Sequence, residues 1–182
     1  ASHSGPLRIL VSGTLQPRKN QLAVIQAIER LKRQGHDIVA DFIGYTEFNP
    51  EYVSDCRKVI ADCGLGGDVR LHGFVNDPLA FYDRADLLLI AAFDESMPQT
   101  IIQAMACGVP VASTNVGGVR EILRHRYTGL LIGGQSPDEI ASAILEWILL
   151  STEQRLEMVD RAQRAANFLA RSTYVKFELI GL

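Results

Sequence analysis

Short apolar runs alternate with amphipathic helical segments along almost the whole chain, and this alternation restricts the fold more than any other feature of the sequence. Apolar runs at residues 7–12, 38–43 and 87–90 are bounded by turns and predict buried strands. Each run is followed by a segment with apolar residues at helical spacing. Strands that alternate with helices are typical of a parallel sheet with right-handed crossovers. We therefore predict an α/β fold, a doubly wound, Rossmann-like parallel sheet with helices on both faces.

Weaker patterns predict the remaining elements. Further strands are expected at residues 69–71, 109–112 and 130–132. Helices are expected at residues 22–34, 51–63, 78–82, 98–106, 119–123, 137–150 and 152–170. Pro78 suits the first turn of its short helix, and Ser136, Pro137 and Glu139 have the spacing of a capping box. We predict one domain over residues 7–171, with a linker or expression remnant at 1–6 and a C-terminal extension at 172–182.

The composition excludes several classes of protein. A length of 182 residues suits one domain with a proper core, and a formal net charge of −3 argues against nucleic acid as a partner. No apolar run is long enough to span a bilayer, and residues 1–6 lack the layout of a signal peptide. Cys56, Cys63 and Cys107 are too widely spaced for a disulfide framework or a four-ligand zinc site. We therefore expect the reducing cytoplasm as the location.

The loops that leave the strands are where a ligand would bind. Open α/β sheets bind ligands at the carboxyl ends of their strands, where loops enter helix N-termini that favour phosphates. This rule selects five loops, at residues 13–20, 44–50, 73–78, 93–99 and 115–120. The dinucleotide-binding pattern G-x-G-x-x-G and the P-loop pattern G-x-x-x-x-G-K are both absent. Their absence argues against a nicotinamide enzyme and an ATPase.

Charged residues in two of these loops each have two interpretations. Arg18 and Lys19 precede a helix, where cations are unfavourable unless an anion lies between them. A solvated basic turn is the alternative. Asp94 and Glu95 follow a buried strand, where carboxylates can accept hydrogen bonds from sugar hydroxyls. Helix capping is the alternative for that pair.

Glycines and histidines in the same region are also ambiguous. Gly117 and Gly118 either let a ligand approach the backbone closely or form a tight turn. His72 and His125 have no neighbours at metal-ligand spacing, so we expect them in core or surface roles. No Asp-x-Asp pair follows a strand, and we therefore predict no metal site.

Several motifs occur together in a fixed order, which makes them far more specific than any single loop. Residues 95–110, ESMPQTIIQAMACGVP, fit a pattern of Glu, seven residues, a second Glu and Ala-Met-Ala-x-Gly-x-Pro. Further matches are residues 13–19, 73–75 (GFV), 81–86 (FYDRAD), 115–121 (NVGGVRE) and 127–131 (YTGLL). From residue 9 to about residue 150, the chain resembles the C-terminal domain of GT-B retaining glycosyltransferases of the family-4 type, which use nucleotide sugars.

The resemblance implies roles for individual positions. Lys19 would contact the donor diphosphate and Glu95 would hydrogen-bond the transferred sugar, so we predict these two as the catalytic residues. Gln103 stands where the family has the glutamate that binds the ribose, and Phe74 and Val75 lie where the base is usually held. The remaining donor-binding candidates are Gly13, Thr14, Arg18, Ser96, Met97, Pro98, Gln99 and Thr100.

The chain departs from the family pattern at a few of these positions. Thr14 replaces an arginine on the diphosphate, and Arg18 could reach the same phosphates. Gln103 replaces a glutamate and keeps its hydrogen-bonding capacity without the charge. Met97 and Pro98 replace Phe and Gly, and the proline removes one N–H that could face the donor. Such changes would weaken donor binding, select another nucleotide or mark a non-catalytic copy.

The activity that the resemblance implies is transfer of a sugar from a UDP- or GDP-linked donor to an acceptor hydroxyl, with retention of configuration and without a metal or other cofactor. A missing N-terminal domain would bind the acceptor and make any contact with the inner face of the membrane. Family members often build surface polysaccharides. We expect this chain alone to bind the donor weakly and to turn over little.

Three other functions stay open. A nucleotide-sugar 2-epimerase of the same architecture would need acid and base groups that the sequence does not supply. A non-catalytic module that binds a nucleotide or a partner protein would account for Thr14 and Gln103. A phosphate-binding α/β domain of unrelated function would have the same pattern of elements, because fold does not determine function.

Overall fold

A six-stranded parallel sheet forms the centre of the computed structural model, which describes residues 5–95 and 99–171. The strands are β1 Leu7–Ser12, β2 Ile38–Ile43, β3 Val69–Gly73, β4 Leu87–Ile90, β5 Val111–Thr114 and β6 Leu130–Ile132. Their order is β3-β2-β1-β4-β5-β6, and each neighbouring pair is parallel. The predicted doubly wound sheet is confirmed.

Helices connect the strands and cover both faces of the sheet. Within the described residues the α-helices are α1 Gln21–Arg33, α2 Pro50–Asp62, α3 Leu79–Tyr82, α4 Gln99–Ala106, α5 Val119–Ile122, α6 Pro137–Leu149 and α7 Thr152–Arg171. A 3₁₀ turn, Pro17–Lys19, leads into α1. None of these helices is both long enough and apolar enough to cross a bilayer.

Two apolar cores lie on opposite faces of the sheet. On β1, Ile9 and Val11 belong to one core and Leu10 belongs to the other, and the residues of β4 alternate in the same way. Helices α1, α2 and α6 cover the first core, while α4, α5 and the second half of α7 cover the other. Burial on both faces explains why these strands read as continuous apolar runs.

The start of α6 shows how closely local sequence can determine a helix end. The Ser136 hydroxyl accepts a hydrogen bond from the Glu139 N–H at 3.3 Å, and the Glu139 carboxylate accepts one from the Ser136 N–H at 3.1 Å. Pro137 occupies the first turn, where a missing N–H costs nothing. The predicted capping box is confirmed.

Two predicted elements begin at different residues in the structure. Strand β5 begins at Val111 rather than at residue 109, because residues 108 and 109 still close α4 and Pro110 cannot donate to the ladder. Pro78 immediately precedes α3 instead of lying within it. Most other boundaries differ from the prediction by one or two residues. Residues 1–4, Ser96, Met97, Pro98 and the predicted extension at 172–182 lie outside the described residues.

Candidate functional site

The sheet order places the loops after β1 and β4 side by side at the carboxyl edge. The chain leaves these adjacent strands toward opposite sides of the sheet, which is where open α/β sheets form a ligand crevice. Lys19 lies in the first loop and Glu95, 76 positions later, lies in the second. Their side chains form an ion pair between Lys19 Nζ and Glu95 Oε2, with exposed fractions of 18% and 13%. The structure therefore brings the two predicted catalytic residues into contact.

Hydrogen bonds hold the loop that carries Lys19. Asn20 has a left-handed backbone, with φ of 58°, and ends the 3₁₀ turn where α1 begins. Its side-chain amide donates to the Gln135 carbonyl at 2.9 Å. The buried Gln21 side chain donates to the Thr14 carbonyl, also at 2.9 Å. Lys19 therefore sits on a loop that is fastened both to its own helix and to the segment after β6.

The first turn of α1 has a partner that the sequence did not indicate. The Tyr52 hydroxyl, on α2, accepts a hydrogen bond from the Leu22 N–H at 3.0 Å. Burial raises the pKa of Tyr52 to about 12 and that of the neighbouring Cys56 to about 11, so both side chains are neutral at physiological pH. Tyr52 thus satisfies a free N–H at the helix start that would otherwise be available to an anion.

The loop after β5 holds the segment that carries Glu95. The Gly118 N–H donates to the Glu95 carbonyl at 3.0 Å, and the Thr114 hydroxyl donates to the Ala92 carbonyl at 2.7 Å. The Phe93 N–H donates to the carbonyl of Arg18, the residue before Lys19, at 2.9 Å. The Glu95 segment is therefore fixed from both sides, on one side by the glycine loop and on the other by the Lys19 loop.

Three exposed aromatic rings meet beyond the ends of β2 and β3. Tyr45 stacks on Phe74 with ring centroids 4.7 Å apart, and Phe48 contacts Tyr45 edge-on at 5.5 Å. Phe74 is 54% exposed, whereas Val75 is half-buried and packs against the second core. Sequence reasoning did not single out Tyr45 and Phe48. The available signal was that aromatic residues occur in a loop at the ligand-binding edge.

The other predicted donor-binding residues have varied surroundings. Thr14 and Gly13 are half-buried, and Arg18 is exposed beside Lys19. Gln99 begins α4 and is exposed, whereas Thr100 and Gln103 are half-buried on the same helix. Thr100 and Gln103 are three residues apart and therefore share one helix face. The structure does not describe Ser96, Met97 and Pro98, which were predicted to face the sugar and phosphates.

Histidines outside the crevice make structural contacts. His72 Nε2 lies 2.6 Å from a carboxylate oxygen of Asp41 on the neighbouring strand. His125 Nδ1 accepts a hydrogen bond from the Leu131 N–H at 3.1 Å. Across residues 5–95 and 99–171, no three His, Cys, Asp or Glu side chains are grouped so that they could hold a metal ion.

A groove of about 540 Å³ lies at the opposite, amino edge of the sheet. Its walls include Asp37 and Asp86, which precede β2 and β4, and Trp147 of α6. Concave pockets are the usual starting point for locating a ligand. In an open parallel sheet, however, phosphate-binding loops and helix N-termini lie at the carboxyl edge. We therefore place the candidate site at Lys19 and Glu95 and not in this groove.

Comparison with known proteins identifies the family of the chain. The sequence profile described as "Glycosyl transferases group 1" matches residues 1–165. The chain belongs to this family. Among relatives, it is 32% identical over 169 residues to D-inositol 3-phosphate glycosyltransferase of Thermobispora bispora, covering 88% of this chain and 39% of that protein. It is 31% identical over 144 residues to GDP-mannose-dependent alpha-(1-6)-phosphatidylinositol monomannoside mannosyltransferase of Mycobacterium tuberculosis, covering 74% and 36%.

Solved structures have the same fold. HepE of Anabaena, in complex with UDP and glucose, superposes with a TM-score of 0.83 at 26% identity, over 91% of this chain and 44% of that chain. The C-terminal domain of the group 1 protein LpcC from Francisella tularensis gives a TM-score of 0.79 at 21% identity, over 90% and 86%. The chain thus spans less than half the length of the curated relatives and matches a C-terminal domain over most of its length. The predicted resemblance is confirmed.

Proposed function

We propose that this chain is the donor-binding domain of a glycosyltransferase that transfers a sugar from a nucleoside diphosphate sugar to an acceptor hydroxyl, with retention of configuration. The observation that supports this most directly is the Lys19–Glu95 contact in the crevice between β1 and β4. It places a cation suited to a diphosphate beside a carboxylate suited to sugar hydroxyls.

Lys19 has the position and charge to stabilise the leaving group. Negative charge develops on the diphosphate as its bond to the sugar breaks, and a partly buried ammonium group interacts with that charge more strongly than an exposed one. Arg18, exposed one residue earlier, could add a second cation, and α4 begins on the other side of the crevice. No metal ion is needed in this proposal, because protein cations and helix N–H groups carry the charge.

Glu95 is proposed to accept hydrogen bonds from the transferred sugar. In the structure its carboxylate is paired with Lys19. A diphosphate that binds Lys19 competes for the same ammonium group and so releases Glu95 toward the sugar. Donor binding would therefore exchange one anion for another at Lys19, and hydroxyl donors of the sugar would replace the lysine contact at Glu95.

The nucleotide is proposed to lie toward β2 and β3. Phe74 and Val75 would hold the base, and Gln103 would bind a ribose hydroxyl through its amide. One structural neighbour is named as a UDP complex and one relative as GDP-mannose-dependent, which supports a UDP- or GDP-linked donor. The exposed Tyr45–Phe74 stack offers an aromatic face to either base.

The acceptor site is proposed to belong to a second domain, because the chain spans only 39% and 36% of two curated relatives. That domain would close over the crevice, exclude water and make any contact with the cytoplasmic face of a membrane. The full protein would act in the cytoplasm on a polysaccharide or glycolipid precursor. The domain described here would bind a donor weakly and turn over little by itself.

A thermal-shift series tests this proposal with the chain as it stands. UDP or GDP at ten times its dissociation constant should raise the melting temperature by about 3 °C, since ligand binding stabilises the folded state by mass action. Uridine and guanosine serve as controls because they lack the diphosphate and should give no comparable shift. If neither diphosphate nor the corresponding nucleotide sugars shift the melting temperature, the proposal is wrong.

A non-catalytic, nucleotide-binding module is the second candidate, and Thr14 and Gln103 are the observations that favour it. Both positions have lost a charge relative to the family pattern, and either loss weakens charge-assisted contacts with the donor. This candidate predicts nucleotide binding without sugar transfer even when the complete protein is assayed with its acceptor.

A further inference from the structure

Gly117 lies directly against the backbone of Glu95. Its φ is +49°, in a region that side-chain-bearing residues rarely adopt. A Cβ atom at this position would lie 2.2 Å from the Glu95 carbonyl oxygen. The adjacent Gly118 N–H donates to that same oxygen at 3.0 Å. A side chain at position 117 therefore cannot be added unless Glu95 moves away.

The rest of the Glu95 segment is held, so it has few other ways to adjust. Thr114, which is 1% exposed, fastens the Ala92 carbonyl three residues earlier. The Phe93 N–H is bonded to Arg18, which precedes Lys19 in the other loop. A Cβ at position 117 would therefore displace the Glu95 carbonyl, and with it the Glu95 side chain, relative to Lys19.

We propose that Gly117 is a positioning residue that sets the Glu95 carboxylate against Lys19. The sequence left open whether the paired glycines admit a ligand or form a turn, and the group that approaches Gly117 is the protein's own Glu95 carbonyl. The importance of this contact for the reaction rests on the proposed function, because Glu95 acts through the donor sugar. The contact itself does not depend on that function.

Lysine acetylation of the 182-residue chain, read by mass spectrometry, tests the positioning role without any nucleotide. Lys19 reacts slowly while it is paired. Gly117→Ala should raise its acetylation rate about fivefold, as expected for loss of one partly exposed ion pair, and Glu95→Ala should have the same effect. Lys32, which lies 2.9 Å from Asp68 on another part of the domain, is the internal reference.

Gly66→Ala is the matched control, because a Cβ at Gly66 would meet nothing within 4 Å and its backbone does not require glycine. It should leave the ratio of Lys19 to Lys32 acetylation unchanged. An equal rise at both lysines in Gly117→Ala would indicate general loosening and would overturn the proposal. An unchanged ratio in a folded Gly117→Ala protein would also overturn it.

Thr114→Val provides a second variant if Gly117→Ala fails to fold. It keeps the glycine but removes the hydroxyl that holds the Ala92 carbonyl, so Glu95 should shift less and the Lys19 ratio should rise by a smaller factor. No rise in this variant would contradict the idea that the loop after β5 positions Glu95.

Donor titration separates this inference from the proposed function. Gly117→Ala should retain affinity for UDP or GDP, which binds through Lys19, but should lose the additional affinity that a nucleotide sugar gains from Glu95. If the unsubstituted chain binds no nucleotide while the acetylation ratio rises as expected, the proposed function is wrong and the Gly117 contact stands. If nucleotide binds but the ratio is unchanged, the positioning role is wrong.

Discussion

At the scale of single residues, the Lys19–Glu95 pair places two opposite charges where a donor would need them. Each side chain is more than four-fifths buried, so neither charge is easily left alone. Removing one partner of a partly buried pair costs more than the pair contributes, because the remaining charge stays partly desolvated. For the same reason, a Lys19 ammonium group that has lost Glu95 should favour the binding of an incoming anion. Glu95 variants should therefore change sugar recognition more than nucleotide binding.

The three cysteines should differ sharply in reactivity. Burial raises the pKa of Cys56 to about 11, so almost no thiolate is present at pH 8, and its side chain is fully buried. Burial and the nearby Asp83 also raise the pKa of Cys107, which is otherwise exposed. Iodoacetamide at pH 8 should modify Cys63 fastest, Cys107 more slowly and Cys56 only after unfolding. Modification of Cys56 in the folded protein at the rate of Cys63 would contradict the described packing of α2.

At the scale of elements, backbone contacts through glycine hold the loops at the carboxyl edge. Gly44, after β2, has φ of +140°, and a Cβ there would lie 2.2 Å from the Gly13 carbonyl oxygen. The Gly13 N–H in turn donates to the Ile43 carbonyl at 2.9 Å. The loop that leads to Lys19 thus packs against the end of β2, and the Glu95 segment packs against Gly117 in a similar way.

Gly44→Ala should therefore destabilise the domain by about 2–4 kcal/mol, because both the backbone conformation and the close carbonyl exclude a side chain. Urea unfolding measures this loss. Gly66→Ala, at an open position, should change the unfolding free energy by no more than about 0.5 kcal/mol. Equal effects of the two substitutions would mean that the two loops are not packed as described.

The capping box of α6 gives a pH-dependent prediction. Hydrogen bonds from the Ser136 hydroxyl and N–H lower the pKa of Glu139 below its usual 4.5. Because the folded-state pKa is lowered, the stabilisation is complete above pH 4.5 and is lost as pH falls through the lowered pKa. Ser136→Ala should lower the melting temperature by about 3 °C at pH 7 and by less at pH 3. An equal loss at both values would show that Glu139 does not take part.

At the scale of the whole molecule, elements were easier to predict than contacts. Burial on both faces makes parallel strands apolar throughout, and β1, β2 and β4 could therefore be predicted from local sequence. The Pro110 boundary of β5 was missed because the chain is apolar through the turn that closes α4. The proposed roles of Lys19 and Glu95 came from resemblance, and the sheet rule alone predicted only that their loops lie at the carboxyl edge.

Contacts between distant segments left no signal in the local sequence. The Tyr52 hydroxyl on the first turn of α1 joins residues that are 30 positions apart, and Gly117 meets a carbonyl that belongs to another loop. Hydrogen bonds and close approaches of this kind depend on the folded geometry and not on spacing along the chain. Residue type therefore drew attention to Gly117 but not to Tyr52, and it showed for neither residue what the side chain or backbone contacts.

The central claim is that Lys19, at the crevice between β1 and β4, binds the diphosphate of a nucleotide sugar. Calorimetric titration of the chain with UDP and GDP, repeated for Lys19→Ala, Glu95→Ala and the exposed control Lys58→Ala, tests it most directly. We expect one of the two nucleotides to bind. Binding should be weaker by about tenfold or more in Lys19→Ala, because a charge-assisted contact is lost, and should not be weakened in Glu95→Ala or Lys58→Ala. Equal affinity of Lys19→Ala and the unsubstituted chain would contradict the claim.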